Sequence, residues 1–114
     1  VSLPKTLFVA TFDVAAEQRG EFDRWYEEVH VPDALGIPGY LGVQRYESGG
    51  DFPNAAGAAR YLNVYEIESA EAFAAGWDSE YRRRSSADFN RWAPALSNAN
   101  VGLYVAKDQG GSDA

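Results

Sequence analysis

Three runs of β-favouring residues alternate side chain by side chain, and this pattern limits the fold more than any other feature of the chain. They are Tyr40–Glu47 (YLGVQRYE), Arg60–Ile67 (RYLNVYEI) and Asn100–Ala106 (NVGLYVA). Successive side chains of a strand point to opposite faces, so each run divides into two sets. Leu62 and Val64 oppose Tyr61, Asn63, Tyr65 and Ile67. Leu41, Val43 and Arg45 oppose Tyr40, Gly42, Gln44 and Tyr46. Val101, Leu103 and Val105 oppose Asn100, Gly102 and Tyr104. The pattern predicts that the aliphatic set packs beneath helices and that the aromatic and amide-bearing set forms a second face. Tyrosines, Asn and Gln together suit a half-covered pocket, in which rings supply contact area and a few polar atoms orient a ligand. The same residues also suit an interface between two copies, because a large exposed aromatic patch promotes association.

The rest of the chain supplies one more strand and the helices. Leu7–Phe12 is a short apolar strand; either Phe8, Ala10 and Phe12 or Leu7, Val9 and Thr11 face inward. Asp13 is placed to cap a helix from Ala15 to about His30, with Phe22, Trp25, Tyr26 and Val29 on one face at spacings of three and four. Pro32 disfavours helical geometry at Val31 and marks the end. Gly36–Gly39 is a turn, and Ser48–Ala59 is a loop by composition. Ser69 caps a second helix with Phe73, Trp77 and Tyr81 on one face. A further short helix within Ser85–Ser97 carries Phe89 and Trp92. The order β-α-β-β-α-β predicts an α+β, ferredoxin-like domain: a four-stranded antiparallel sheet with helices on one face. It spans residues 1–107, and 108–114 form a disordered tail.

The 114 residues, 46% of them hydrophobic, are enough for one core without metal or disulfide staples. Cysteine is absent, which excludes disulfides, thiolate metal sites and a cysteine nucleophile, and fits a reducing cytoplasm. Seventeen acidic residues against ten basic ones give a net charge of -7, which argues against nucleic acid and anionic membranes as partners. The one basic run, Arg82-Arg83-Arg84, reads as a solvated helix face. No stretch approaches the roughly 20 apolar residues of a membrane span, and no charged start leads into an apolar run as in a signal peptide. P-loop, dinucleotide-binding and nucleophile-elbow motifs are missing.

The densest chemical signal is the helix end FDRWYEEVHVPD, Phe22 to Asp33. It holds His30, the only histidine. Helical spacing aligns His30 with Tyr26 and Phe22. An imidazole titrates near neutrality and suits proton transfer, whereas its structural role would be to cap the last helical carbonyls. Asp33 is close enough to orient it, or to start a short turn of its own. A metal is poorly served, because Glu27, Glu28 and Asp33 beside one histidine make a thin ligand set.

WYEEVHVPD, followed by IPGYLGVQRYE and RYLNVYEIES, resembles the dimeric α/β-barrel superfamily, most of all its EthD-like and related small proteins with a W-Y-x-x-x-H-x-P pattern. The resemblance covers roughly residues 5 to 106. It implies a homodimer whose sheets pack face to face, with a cavity between sheet and helices in each subunit. Members include cofactor-free polyketide cyclases and monooxygenases, muconolactone isomerases, and haem-binding or haem-degrading branches. In several of them a histidine on or just after the first helix takes part in proton transfer, a role that falls here on His30. Trp25 and Tyr26 match the motif too. The cyclases often use a second histidine, which this chain lacks. His30 is also the one candidate for a haem ligand, and no other feature supports haem.

The expectation is therefore an enzyme without metal or organic cofactor, cytoplasmic, acting by proton transfer on a small cyclic, aromatic or polyketide-like metabolite. The reaction would be an isomerisation, cyclisation, lyase step or O₂-dependent oxidation. His30 would be the general acid/base, and Tyr26, Gln44, Tyr61, Asn63 and Tyr65 would contact substrate. Two alternatives stand beside it: a non-catalytic dimer that binds a small hydrophobic metabolite, and a structural or stress-associated dimer with a filled interface.

Overall fold

The computed structural model describes residues 3–49, 54 and 56–107. Four strands, β1 (Thr6–Val14), β2 (Tyr40–Glu47), β3 (Tyr61–Ile67) and β4 (Leu96–Val105), form one antiparallel sheet in the order β2-β3-β1-β4. This is the ferredoxin-like arrangement, with helices on one face. The expected tail 108–114 and most of the glycine-rich part of the Ser48–Ala59 loop lie outside the described residues.

The first helical segment departs from expectation in both its ends. Asp13 belongs to β1, where its carboxylate accepts the Arg60 N–H at 2.6 Å, and it caps nothing. A 3₁₀ turn (Ala16–Gln18) leads into α1 (Arg19–Trp25), followed by a π-helical turn at Tyr26–His30 and then α2 (Val31–Leu35). Pro32 does not end the helix. It lies inside a continuous helical path, with His30 and Val31 ahead of it both keeping helical dihedrals. The π turn ahead of it, closed by the Val31 N–H donating to the Tyr26 carbonyl, widens the ladder where the proline ring would otherwise crowd it. Gly39, with φ at 92°, makes the turn into β2.

The second helical half is also divided differently. Ser69 caps α3 (Ala70–Gly76) as its spacing predicts, its hydroxyl accepting the Ala72 N–H at 2.9 Å. A second serine cap at Ser79 then starts α4 (Glu80–Asn90), so the helix carrying Phe89 begins earlier than the composition suggested. β4 starts at Leu96 and absorbs Ser97 and Asn98.

The largest correction concerns the two faces of the sheet. Tyr61, Asn63, Tyr65 and Ile67 are buried beneath the helices, while Leu62 and Val64 point to the outer face. The cross-strand register carries Phe8, Ala10 and Phe12 of β1 inward with them, which settles the orientation of that strand. The reason is the helix face itself. Phe22, Tyr26 and Phe89 offer rings, and rings from the sheet pack against them: Phe12 lies 5.5 Å from Phe22, 6.3 Å from Tyr26 and 5.7 Å from Phe89. Asn63 tolerates complete burial because its amide is bonded at both ends. Its Oδ1 accepts from Arg45 Nε at 3.1 Å and its Nδ2 donates to the Ala10 carbonyl at 3.2 Å.

In β2 simple parity fails for a local reason. The register shifts between Tyr40 and Gly42, so Tyr40 stays on the helix side opposite Ile67, while Gln44 and Tyr46 oppose Val64 and Leu62 on the outer face. In β4, Val101 and Leu103 point to the helix side but lie on the sheet edge, and Val101 keeps 69% of its surface exposed. The outer face, formed by Leu7, Val9, Leu62, Val64, Tyr46 and Tyr104, has no helix over it.

Candidate functional site

A cavity of about 390 Å³ opens between the sheet and the helices. Phe8, Ala10, Phe12 and Tyr65 form its floor. Tyr26 and His30, from the π turn, form one wall. The inward face of α4 forms the other, with Arg82, Ser85, Ser86, Phe89 and Asn90 at spacings of three and four. Tyr40 and Trp77 close one end, and Asn100 and Val101 of β4 lie along the rim. Its size is within the range of small-molecule sites.

His30 is held by rings on several sides. It stacks on Trp25 at 5.1 Å and lies 4.6 Å from Tyr26 and 5.4 Å from Phe89, measured between ring centres. Its Nδ1 meets the buried Ser85 hydroxyl at 3.4 Å. Burial among these rings pushes its pKa from 6.5 to about 4, outweighing the nearby Asp33 and Asp88 carboxylates, which act in the opposite direction. At neutral pH the imidazole is therefore uncharged, able to accept a proton through one nitrogen. Asp33 makes no hydrogen bond with the ring; it accepts from Arg84 at 3.4 Å.

Tyr26 and Tyr65 join their hydroxyls in a short hydrogen bond at the cavity floor. Burial raises both phenols, Tyr26 to about 12 and Tyr65 well above its usual value. Tyr40 is pushed to about 12 by burial as well, against the pull of Arg82. All three stay protonated at neutral pH and remain hydrogen-bond donors. Tyr26 is fixed from behind by the Arg45 guanidinium, 4.3 Å from its ring centre. Arg45 is held in turn by Asp23 at 2.9 Å and Glu27 at 3.1 Å.

Of the residues expected at the site, His30, Tyr26 and Tyr65 come together around the cavity. Gln44 does not, because it points to the outer face. Asn63 lies beneath the floor with its amide committed to Arg45 and Ala10. Tyr61 packs against Phe12 at 6.0 Å and faces a separate open groove of about 500 Å³ with Asp23, Glu27 and Glu47. The sequence reading missed Tyr40, Arg82, Ser85 and Phe89. The i, i+3, i+7 recurrence of Arg82, Ser85 and Phe89 was the available signal, masked by placing the helix start at Ser85.

Among the described residues, no three His, Asp or Glu side chains gather as a metal would require. Haem fits the residues poorly. His30 is hemmed by three rings, and Arg82 is the one arginine on the cavity wall for a group that carries two carboxylates. The carboxylates of a haem would have no further cation on this wall.

No protein-family model matches the sequence, and no curated protein matches it. Solved structures do. An ethyl tert-butyl ether D (EthD) family protein from Bacillus halodurans is 15% identical, with a TM-score of 0.70, over 90% of this chain and 99% of that one. SnoaB from Streptomyces nogalater, a cofactor-independent oxygenase, is 19% identical with a TM-score of 0.58, over 94% and 97% of the two chains. The haem degrader MhuD from Mycobacterium tuberculosis, solved with two haems in its active site, is 23% identical with a TM-score of 0.59, over 91% and 97%. Helix-side cavity, sheet order and these matches together identify the fold of this chain as that of the dimeric α/β-barrel, ferredoxin-like proteins.

Proposed function

We propose that the protein is a cofactor-independent enzyme that moves a proton on a small cyclic or aromatic molecule, with His30 as the general base. The observation that carries this reading is an uncharged, ring-buried imidazole on the wall of a small-molecule cavity whose floor and end hold protonated phenols. A neutral His30 accepts a proton from an acidic C–H or O–H, and a phenol donates to the oxygen on which negative charge develops. Of the bonded pair Tyr26 and Tyr65, one hydroxyl proton is held between the two oxygens and the other is available, and Tyr40 supplies a second donor. In this reading Nδ1–H donates to the Ser85 hydroxyl, which leaves Nε2 as the nitrogen that accepts the proton. The apolar walls keep water from competing for the same hydrogen bonds.

The reading is tested without knowing the natural substrate. Cyclic ketones, 1-indanone among them, are incubated with the protein in D₂O, and exchange of the carbon-bound protons beside the carbonyl is followed by NMR. Exchange faster than with His30→Gln supports the assignment; equal rates for wild type and variant across the panel would sink it.

We infer in addition that two copies pair through the outer faces of their sheets. Leu62 and Tyr46 are 37% and 52% exposed there, and Tyr104 is 60% exposed, an apolar patch of the kind that marks an interface. The reading as a cytoplasmic protein rests on the cysteine-free composition. Among the described residues no helix is long and apolar enough to cross a membrane. Light scattering should give twice the chain mass for the wild type and the chain mass for Leu62→Lys/Val64→Lys at micromolar concentration. A wild-type monomer would overturn the pairing.

A further inference from the structure

The cavity wall differs in charge from the rest of the molecule. The chain carries a net charge of -7, yet no Asp or Glu lines the cavity, and Arg82 does. Arg45, Arg60, Arg84 and Arg91 each pair with a carboxylate; Arg82, like Arg19, Arg24 and Arg83, has none within ion-pair distance among the described residues, and of these four it is the one that lines the cavity. Its guanidinium is braced instead. Nε donates to the Trp77 carbonyl, Nη1 approaches the Ser86 hydroxyl at 3.4 Å, and the plane rests 4.2 Å from the Trp77 ring centre. A braced, partly desolvated guanidinium has already lost much of the side-chain freedom that binding would otherwise cost.

From this placement we propose that the cavity selects ring compounds bearing a carboxylate, with Arg82 as the residue that binds the carboxylate. Tyr40 stands close enough to feel the charge of Arg82 and offers a phenolic hydroxyl as a second donor. Arg82 and Ser85 are one helical turn apart, about 4.5 Å along the axis of α4. Ser85 touches His30. A carboxylate on Arg82 therefore leaves the ring over Phe8 and Tyr65 and turns its far edge toward His30. No acidic side chain stands on the wall itself; Asp33 and Asp88 act on His30 from outside the lining, and a ring oriented with its carboxylate on Arg82 keeps that charge at its end away from His30. A neutral analogue would leave the arginine desolvated and unanswered.

This assignment rests on the cavity being a small-molecule site, and the test separates the two claims. 1-Naphthoate and 1-naphthamide, which share ring and shape, are titrated into the dimeric or monomeric protein as it occurs, following tryptophan fluorescence and calorimetric heat. Naphthoate is expected to bind roughly tenfold or more tightly than the amide, with the difference shrinking as salt is added. Arg82→Gln is expected to equalise the two ligands, Arg82→Lys to restore part of the preference, and Arg83→Gln, off the cavity wall, to keep it whole. Equal binding of acid and amide by wild type, or a preference that survives in a folded Arg82→Gln, overturns the role of Arg82 and leaves the cavity reading standing. Binding of neither probe removes the small-molecule site itself and the proposal with it.

Discussion

His30→Gln should slow any proton transfer at this cavity by about two to four orders of magnitude, the usual contribution of a positioned general base. Because His30 is the only histidine, its single imidazole signal can be followed by NMR, with an expected midpoint near 4 rather than 6.5. Activity that needs the neutral ring should rise through about pH 4 and hold level to neutrality. The same shift makes a stability statement. Between 4 and 6.5 the unfolded chain holds a proton on this ring that the folded chain does not, so stability increases with pH across that window. It is fully present above 6.5, falls as the pH drops toward 4, and changes no further through this group below that. A shift of this size corresponds to about 3 kcal/mol. Urea denaturation at pH 7 and pH 4.5 measures it as the difference between wild type and His30→Gln, which cancels what the two proteins share. A midpoint at or above 6.5 would mean that burial does not depress this ring, and a midpoint well above 7 would leave it charged at neutrality and unable to act as the base.

Phe22→Ala should cost about 3–5 kcal/mol, enough to unfold a marginal domain at moderate temperature. Phe22 is completely buried, with its ring 5.5 Å from Phe12 and 5.2 Å from Trp92, both near edge-on. It also touches Trp25 and Tyr26, the rings that flank His30, at 5.8 Å and 5.6 Å. Truncation opens a void in the middle of this cluster, and the strands beneath cannot collapse into it without breaking their ladder. Val101→Ala, on the exposed edge strand, should by contrast change stability by less than about 0.5 kcal/mol. Denaturant midpoints of the two variants provide the comparison. A Phe22→Ala penalty below about 1.5 kcal/mol would show that the cluster repacks and that the rings around His30 are not rigidly placed.

Element order and the histidine were legible in the sequence because local rules decide them. β2 is bounded by Tyr40 and Glu47 as its alternation predicts, and Ser69 caps α3 as its spacing predicts. Which face of the sheet meets the helices was not legible, since alternation defines two faces without naming the inner one. Hydrophobicity pointed to Leu62 and Val64. The aromatic character of the helix face decided otherwise, and it could be weighed only once Phe22, Tyr26 and Phe89 were seen converging on Phe12. Gln44 went astray through the register shift after Tyr40, which reverses parity over a single residue. Arg82 was hidden for another reason. Three consecutive arginines read as one solvated stripe, but on a helix they point in three directions: Arg82 to the cavity, Arg83 to solvent and the Asp78 carbonyl, and Arg84 to Asp33.

The π turn at Tyr26–His30 holds one residue more than an α-helical turn between the same two ends would need. Glu28 and Val29 are exposed, so exchanging either for another residue alters little that His30 touches. Deleting either one would let the Val31 N–H and the Tyr26 carbonyl close an ordinary α-helical turn, so that Val31–Leu35 keep their rotation about the axis and Ala34 stays in the interior. A lineage of such proteins can therefore lose a codon between Tyr26 and His30 and pass the change on to one turn alone, the turn that carries the histidine.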